Sequence, residues 1–235
     1  LFANGRCTGP IFLFSDQHGE EATIKKENGN VISDFANIRD IRALGPEIPF
    51  IAYNSIDLGG NTDWEIHQHE PLALYWVGDS GNWSDSLHWA YESGGEPGYC
   101  IPSPIDDVYF DHNSFSDTSE VLINVQIAAC HNMNWTGAKY MPSMVGDISM
   151  ALYIYGSLKF NEKMNNLFEG TVYFSTTEPD HTIESTEIDF IGNVIFEGRD
   201  GIWELVDAFS NKSSTIHKRG SLFSKGHPFS TISFA

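Results

Sequence analysis

Four phrases in the second half of the chain start on glycine and run straight into a short apolar strand: GSLKF at 156, GTVYF at 170, GNVIF at 192 and GSLFS at 220. The glycines stand 14, 22 and 28 residues apart, about 21 on average. A coil built from three short strands needs roughly 20–30 residues per turn. Glycine suits the head of each strand, because a sharp corner demands a positive φ or a close backbone approach. The alternating Leu, Val, Ile and Phe that follow put apolar side chains on one face, so stacked coils bury a continuous core. Unequal intervals fit loops that protrude at some corners. The pattern therefore predicts an all-β parallel β-solenoid (β-helix).

The rest of the chain reads the same way. Short β-rich runs recur at IFLF (11–14), VYF (108–110), VLINVQI (121–127), ALYIYGSLKF (151–160), TVYF (171–174), NVIF (193–196) and TISF (231–234), bounded by Gly, Asn, Asp and Ser. No long segment carries a convincing 3.6-residue apolar period. DFANIRDIRALG (34–45) comes nearest, and reads as strand and turn. The competing architecture is an antiparallel β-sandwich, which also shows short strands with frequent turns. ENGN (27–30) and GRDG (198–201) are where its hairpins would form.

Composition narrows the partners. Thirteen Lys and Arg against 32 Asp and Glu give a formal net charge of −19. Such a surface repels nucleic acid and anionic lipid. The longest apolar runs, 49–53 and 150–155, fall far short of the roughly 20 residues that span a bilayer, so no nucleic-acid partner and no membrane insertion are expected. No signal peptide is visible, and a start at Leu1 that reads as mid-domain suggests a fragment. An acidic surface suits a secreted protein and can hold Ca²⁺. The three cysteines, Cys7, Cys100 and Cys130, show no zinc spacing. In an oxidising compartment Cys100–Cys130 is a candidate disulfide closing about 30 residues, worth roughly 3 kcal/mol; buried free thiols are the alternative.

The segment YWVGDSGNWSDSLHWA (75–90) concentrates three tryptophans and a tyrosine among turn-formers. Asp79, Ser80, Gly81 and Asn82 can close a tight loop. Trp83 and Trp89 would then fold back on Trp76 and cap an open core end, burying large areas. A sugar-binding platform would instead need coplanar exposed rings. A polar bridge, HQHEPLA (67–73), precedes the segment and separates two units.

In order, YWVGDSGNWSDSLHWA…SGG, CIPSPIDDVYFDHNSF, CHNMNWTGA and LYIYGSLKF, preceded by CTGPIFL…NIRDIRALG…AYNSIDLGGNTDW, resemble repeat modules of very large Bacteroidetes cell-surface adhesin-like proteins. These include gliding-motility adhesins exported by type IX secretion. The resemblance covers most of the chain and implies a right-handed β-solenoid. It implies that residues 1–70 close one repeat, 71–74 form a junction and 75–235 open the next. On this reading Asp57, Gly59, Gly60 and Trp64 form a closing turn, and Trp64, Tyr75, Trp76, Trp83 and Trp89 form a structural junction. The location would be the cell surface, attached to the outer membrane. The partners would be adjacent repeats, associated shaft subunits and a surface polysaccharide or other ligand.

Candidate chemistry is confined to polar turns. NSIDLGGNTD (54–63), DSGNWSD (79–85) and DDVYFDHNSFSD (106–117) offer Asp57, Asn61, Asp63, Asp79, Asp85, Asp106, Asp107 and Asp111 as calcium ligands. None matches an EF-hand loop or the calcium nonapeptide, and Asx turns use the same residues without metal. HQH (67–69) supplies two imidazoles but signals no third ligand. No nucleophile, phosphate-loop, metalloprotease or dinucleotide motif occurs. The basic residues that a polysaccharide lyase needs are scattered, and adjacent Asp106 and Asp107 would point to opposite faces of a strand. The expectation is a non-catalytic structural or adhesive segment. The alternatives are a Trp/Tyr carbohydrate-binding module with Ca²⁺ and, third, a polysaccharide lyase or hydrolase.

Overall fold

The computed structural model describes residues 2–235, with side chains from residue 4 onward. The chain forms two compact units, Leu1–Pro71 and Leu72–Ala235. Both are parallel β-solenoids, with about ten coils between them.

The first unit winds β1 (Phe2–Asn4), β2 (Ile11–Phe14) and β3 (Ala22–Lys25) into one coil. The next coil is β4 (Ile32–Asp34), β5 (Ala36–Arg39) and β6 (Ile41–Leu44), followed by β7 (Phe50–Tyr53), β8 (Ile56–Asp57) and β9 (Trp64–Ile66). Each strand pairs in parallel with its counterpart one coil away: β1-β4-β7-β9, β2-β5-β8 and β3-β6. The near-helical phrase 34–45 is the tightest coil. Phe35 (φ 49°) and Asp40 (φ 57°) turn its corners as single left-handed residues. Each such corner resets the in–out alternation, so Ala36, Ile38, Ile41 and Ala43 all reach the core.

The second unit opens with β10 (Ala73–Trp76), β11 (Gly81–Asn82) and β12 (Trp89–Ala90). Three coils follow: β13 (Asp107–Tyr109), β14 (Glu120–Ile123) and β15 (Ile127–Cys130); β16 (Met133–Asn134), β17 (Ser143–Gly146) and β18 (Ala151–Ile154); β19 (Leu158–Lys159), β20 (Asn165–Phe168) and β21 (Thr171–Phe174). The last coils are β22 (His181–Glu184), β23 (Val194–Leu205), β24 (Phe209–Phe223) and β25 (Phe229–Phe234). β23 and β24 are long because each rounds corners without leaving the ladder. The lateral pairings of this unit are parallel except β10 with β12. ENGN lies between β3 and β4, which do not pair with each other, and GRDG is an irregularity inside β23. Neither makes a sandwich hairpin.

The core repeats like on like. Phe190, Phe209 and Phe229 stack at 5.0 and 4.8 Å, and Phe174 stacks on Phe196 at 5.0 Å. Burying each such ring removes apolar area worth roughly 1.5–3 kcal/mol, and offset stacking adds to it.

The glycine-led phrases prove to come from two different corners. Gly170 and Gly192 head β21 and β23 at one corner, where a Cβ on Gly192 would collide with the Gly170 carbonyl oxygen. Gly156 precedes β19, and Gly220 lies within β24 against the Gly198 and Gly201 carbonyls, at another corner. The uneven 14- and 28-residue steps are therefore jumps between corners, not protruding loops. The true coil length is 25 residues where Asp107, Asn132, Ser157 and Thr182 align, and falls to 19 at Ser214–Ser233.

Gly192→Ala is expected to cost about 1–3 kcal/mol, because its Cβ meets backbone that cannot rotate away. Gly9→Ala, with nothing within 4 Å of the new methyl, is expected to be near neutral. Urea denaturation of the two variants side by side tests this.

Candidate functional site

The tryptophan segment is the end cap of the second unit. Trp76, Trp83 and Trp89 are each 0% exposed. Trp89 lies edge-on to Trp76 at 5.2 Å and to Trp83 at 5.0 Å. Trp76 stacks on His88 at 4.6 Å, and Phe110 stacks on Trp135 beneath at 3.7 Å. Two of the three indole N–H groups are anchored locally: Trp76 Nε1 donates to the Asp79 carbonyl at 2.8 Å and Trp89 Nε1 to that of Trp83 at 2.9 Å, while Trp83 Nε1 is buried without a partner among the described residues. Asp85 caps the short 3₁₀ turn Ser86–His88 by accepting from the Leu87 N–H. That turn swings β12 back antiparallel along β10. The fold-back covers the free edge that β10 would otherwise present for pairing.

Of the five expected junction rings, Trp76, Trp83 and Trp89 pack together in the second unit. Trp64 packs edge-on against Phe50 at 5.6 Å in the core of the first unit. Tyr75 stacks on Tyr109 at 4.9 Å, one coil on.

Most of the candidate calcium ligands accept hydrogen bonds, within their own turn or from a neighbouring coil. Asp57 accepts from the Gly59 N–H and Asn61 Nδ2, and Asn61 Oδ1 accepts from the Ile41 N–H. Asp63 turns a left-handed corner (φ 61°). Asp79 binds the Ser116 N–H and hydroxyl, which holds its carboxyl below the ordinary value. Buried Asp106 accepts from the Leu72 and Ser103 N–H groups, and Asp111 from the Asn113 N–H. In the HQH stretch, His67 pairs with Glu65 at 2.9 Å and stacks on Tyr53.

The cysteine expectation needs correction. Cys130 is a free, buried thiol on an inward-facing position of β15, so the Cys100–Cys130 bridge does not form. Burial, with Asp107 and Asp106 nearby, pushes its pKa well up and keeps it protonated. Cys100 is a disulfide cysteine, and so is Cys7.

One group was not legible from motif spacing. Among the described residues, His131, Glu178 and His181 are the one set of three His, Cys, Asp or Glu whose ligand atoms all lie within 4.8 Å of one another. The register explains why. Val108, Met133, Leu158 and Ile183 align in successive coils, so His131, Gly156 and His181 share one corner position two residues upstream. Gly156 has no side chain, and across that gap the two imidazoles meet edge to face at 5.8 Å. His131 Nδ1 donates to Asp107 Oδ1 at 2.9 Å. Burial raises the Asp107 carboxyl, but bonds from His131 and Asn132 outweigh it and hold it below the ordinary value. His181 is buried, with Nε2 2.9 Å from Thr176 Oγ1, and that oxygen also accepts from the Glu178 N–H. Burial, then the charge of His131, lowers the His181 pKa against the opposing pull of Glu178 and Asp180.

No protein-family model, curated protein or solved structure matches this chain.

Two outcomes are expected at the cap. Trp89→Ala should cost about 3–5 kcal/mol, the range for deleting a fully buried large ring, read as a lowered urea midpoint. Asp79, with its folded pKa depressed below 3.8, stabilises the fold above about pH 4 and loses that contribution as pH falls through the folded value. Asp79→Asn keeps a residue that tolerates φ 63°. Its deficit in urea midpoint should be present at pH 6 and shrink towards pH 2.

Proposed function

We propose that the chain is a non-catalytic structural segment of a long secreted cell-surface protein, a stiff β-solenoid that presents or forms an adhesion surface. The observation that carries this reading is the continuous stacked core of the second unit together with its fully buried tryptophan cap. Rings with no exposed face cannot serve as a sugar platform, so the aromatic-rich segment is spent on closing the solenoid. In-register parallel ladders tie each coil to the next over a shared core, which suits a spacer. Disulfide cysteines are expected in an oxidising compartment, and Cys7 and Cys100 fit that setting. The strongly acidic composition fits a solvated, non-nucleic-acid-binding surface. No helix among the described residues is long and apolar enough to cross a membrane. In this reading the chain's partners are further β-repeats, shaft subunits and a surface glycan met elsewhere on the molecule.

Single-molecule pulling between the chain ends tests the proposal. The expected trace is high-force unfolding in steps, with Trp89→Ala lowering the first peak of the second unit. A polysaccharide array run on the same protein tests the alternative. Saturable glycan binding that is lost on Tyr109→Ala would replace the spacer reading with a carbohydrate-binding one.

A further inference from the structure

We propose that His131, Glu178 and His181 form a Zn²⁺ site that ties two alternate coils of the second unit together across the coil between them. Two imidazoles and a carboxylate are a donor set that Zn²⁺ favours, with water as the fourth ligand. The backbone assembles it by a device particular to this fold. His131 and His181 stand at one corner position in alternate coils, with Gly156 between them. A Cβ at 156 would collide with Asn132 Oδ1 and crowd the His131 backbone, so this corner position tolerates only glycine.

The outer partners select the free nitrogens. The carboxylate of Asp107 can only accept, so His131 Nδ1 carries the proton and Nε2 keeps the lone pair. On His181, Nε2–H donates to Thr176 Oγ1 in the metal-bound form and Nδ1 is the ligand. A ligating histidine held through its second nitrogen is the arrangement that fixes ring orientation at metal sites. Glu178 is exposed, on the loop between β21 and β22, and is free to swing inward. Zn–N bonds are about 2.0–2.1 Å, so one donor atom from each residue, already within 4.8 Å of the others, reaches an ion once the two imidazoles and the carboxylate each draw inward. The ion would staple the corner across Gly156, where cross-coil support otherwise rests on backbone and small polar side chains.

The test is calorimetric titration of the whole chain, first stripped with chelator, with Zn²⁺, and absorption titration with Co²⁺. We expect one equivalent bound, visible Co²⁺ bands of a four-coordinate nitrogen–oxygen site, and a raised Tm. Glu178→Gln should weaken binding at least tenfold, and His181→Ala should abolish it. Asp107→Asn should cost 10–100-fold, the range for an outer partner. His67→Ala should change nothing. Far-UV circular dichroism of each metal-free variant checks folding. Should His181→Ala fail to fold, the exposed Glu178→Gln decides alone. Absence of stoichiometric Zn²⁺ binding, or binding that Glu178→Gln leaves intact or that His67→Ala removes, overturns the site. Either result leaves the structural reading of the segment to its own tests.

Discussion

Each coil must offer its neighbour the same backbone ladder at the same height, and everything else in this molecule follows from that constraint. In a parallel ladder a one-residue slip would turn the whole inward set outward. The second unit guards against it at a corner as well as along its faces. Asp107 Oδ1 accepts from the Asn132 N–H, Asn132 Oδ1 from the Ser157 N–H, and Ser157 Oγ from the Thr182 N–H, each 25 residues on. The corner side chain of one coil thus satisfies the corner amide of the next, where the backbone leaves its regular pairing. Phenylalanine and tryptophan stacks enforce the same register from inside.

A stack of this kind settles its interior and leaves its ends exposed to pairing. The second unit covers the first of its ends. There, Gly78 and Gly81 let the chain turn beneath His88, Asp85 starts the 3₁₀ turn, and β12 lies antiparallel over β10 with Trp76, Trp83 and Trp89 closed beneath. The tryptophans therefore act as a lid, and their chemistry is that of buried surface rather than of recognition.

Much of this was legible in the sequence. The strand–turn grammar, the glycine-headed strands and the folding-back of the YWVG segment all follow from local patterning. The coil length did not, because glycines at two corners were counted as one series. The phrases that carry the true period are DVYF, NMNW, SLKF and TIES, which share an apolar second position and stand 25 residues apart. The carboxylate-rich turns suggested calcium because Asx turns and calcium loops draw on the same residues. In the fold most of them accept from backbone N–H or hydroxyl groups of their own turn or a neighbouring coil, and Asp107 also from a histidine. The odd cysteine count left the Cys100–Cys130 bridge open, and burial of Cys130 within β15 decides for the free thiol there.

The histidine pair shows why a solenoid hides its polar sites from motif reading. Ligands on a helix recur at three or four residues, so a short phrase exposes them. Here, neighbours in space are a full coil apart in sequence, and His131 and His181 are two. Side chains in alternate coils are held apart by the strand between, about 4.8 Å per step. His131 and His181 meet across a register position held by a glycine, Gly156. The same glycine that reads as a corner-former thus also stands between the two histidines in the register. A histidine, a glycine and a histidine at coil spacing, with an acceptor beside each outer imidazole, is the pattern to look for in other chains of this architecture.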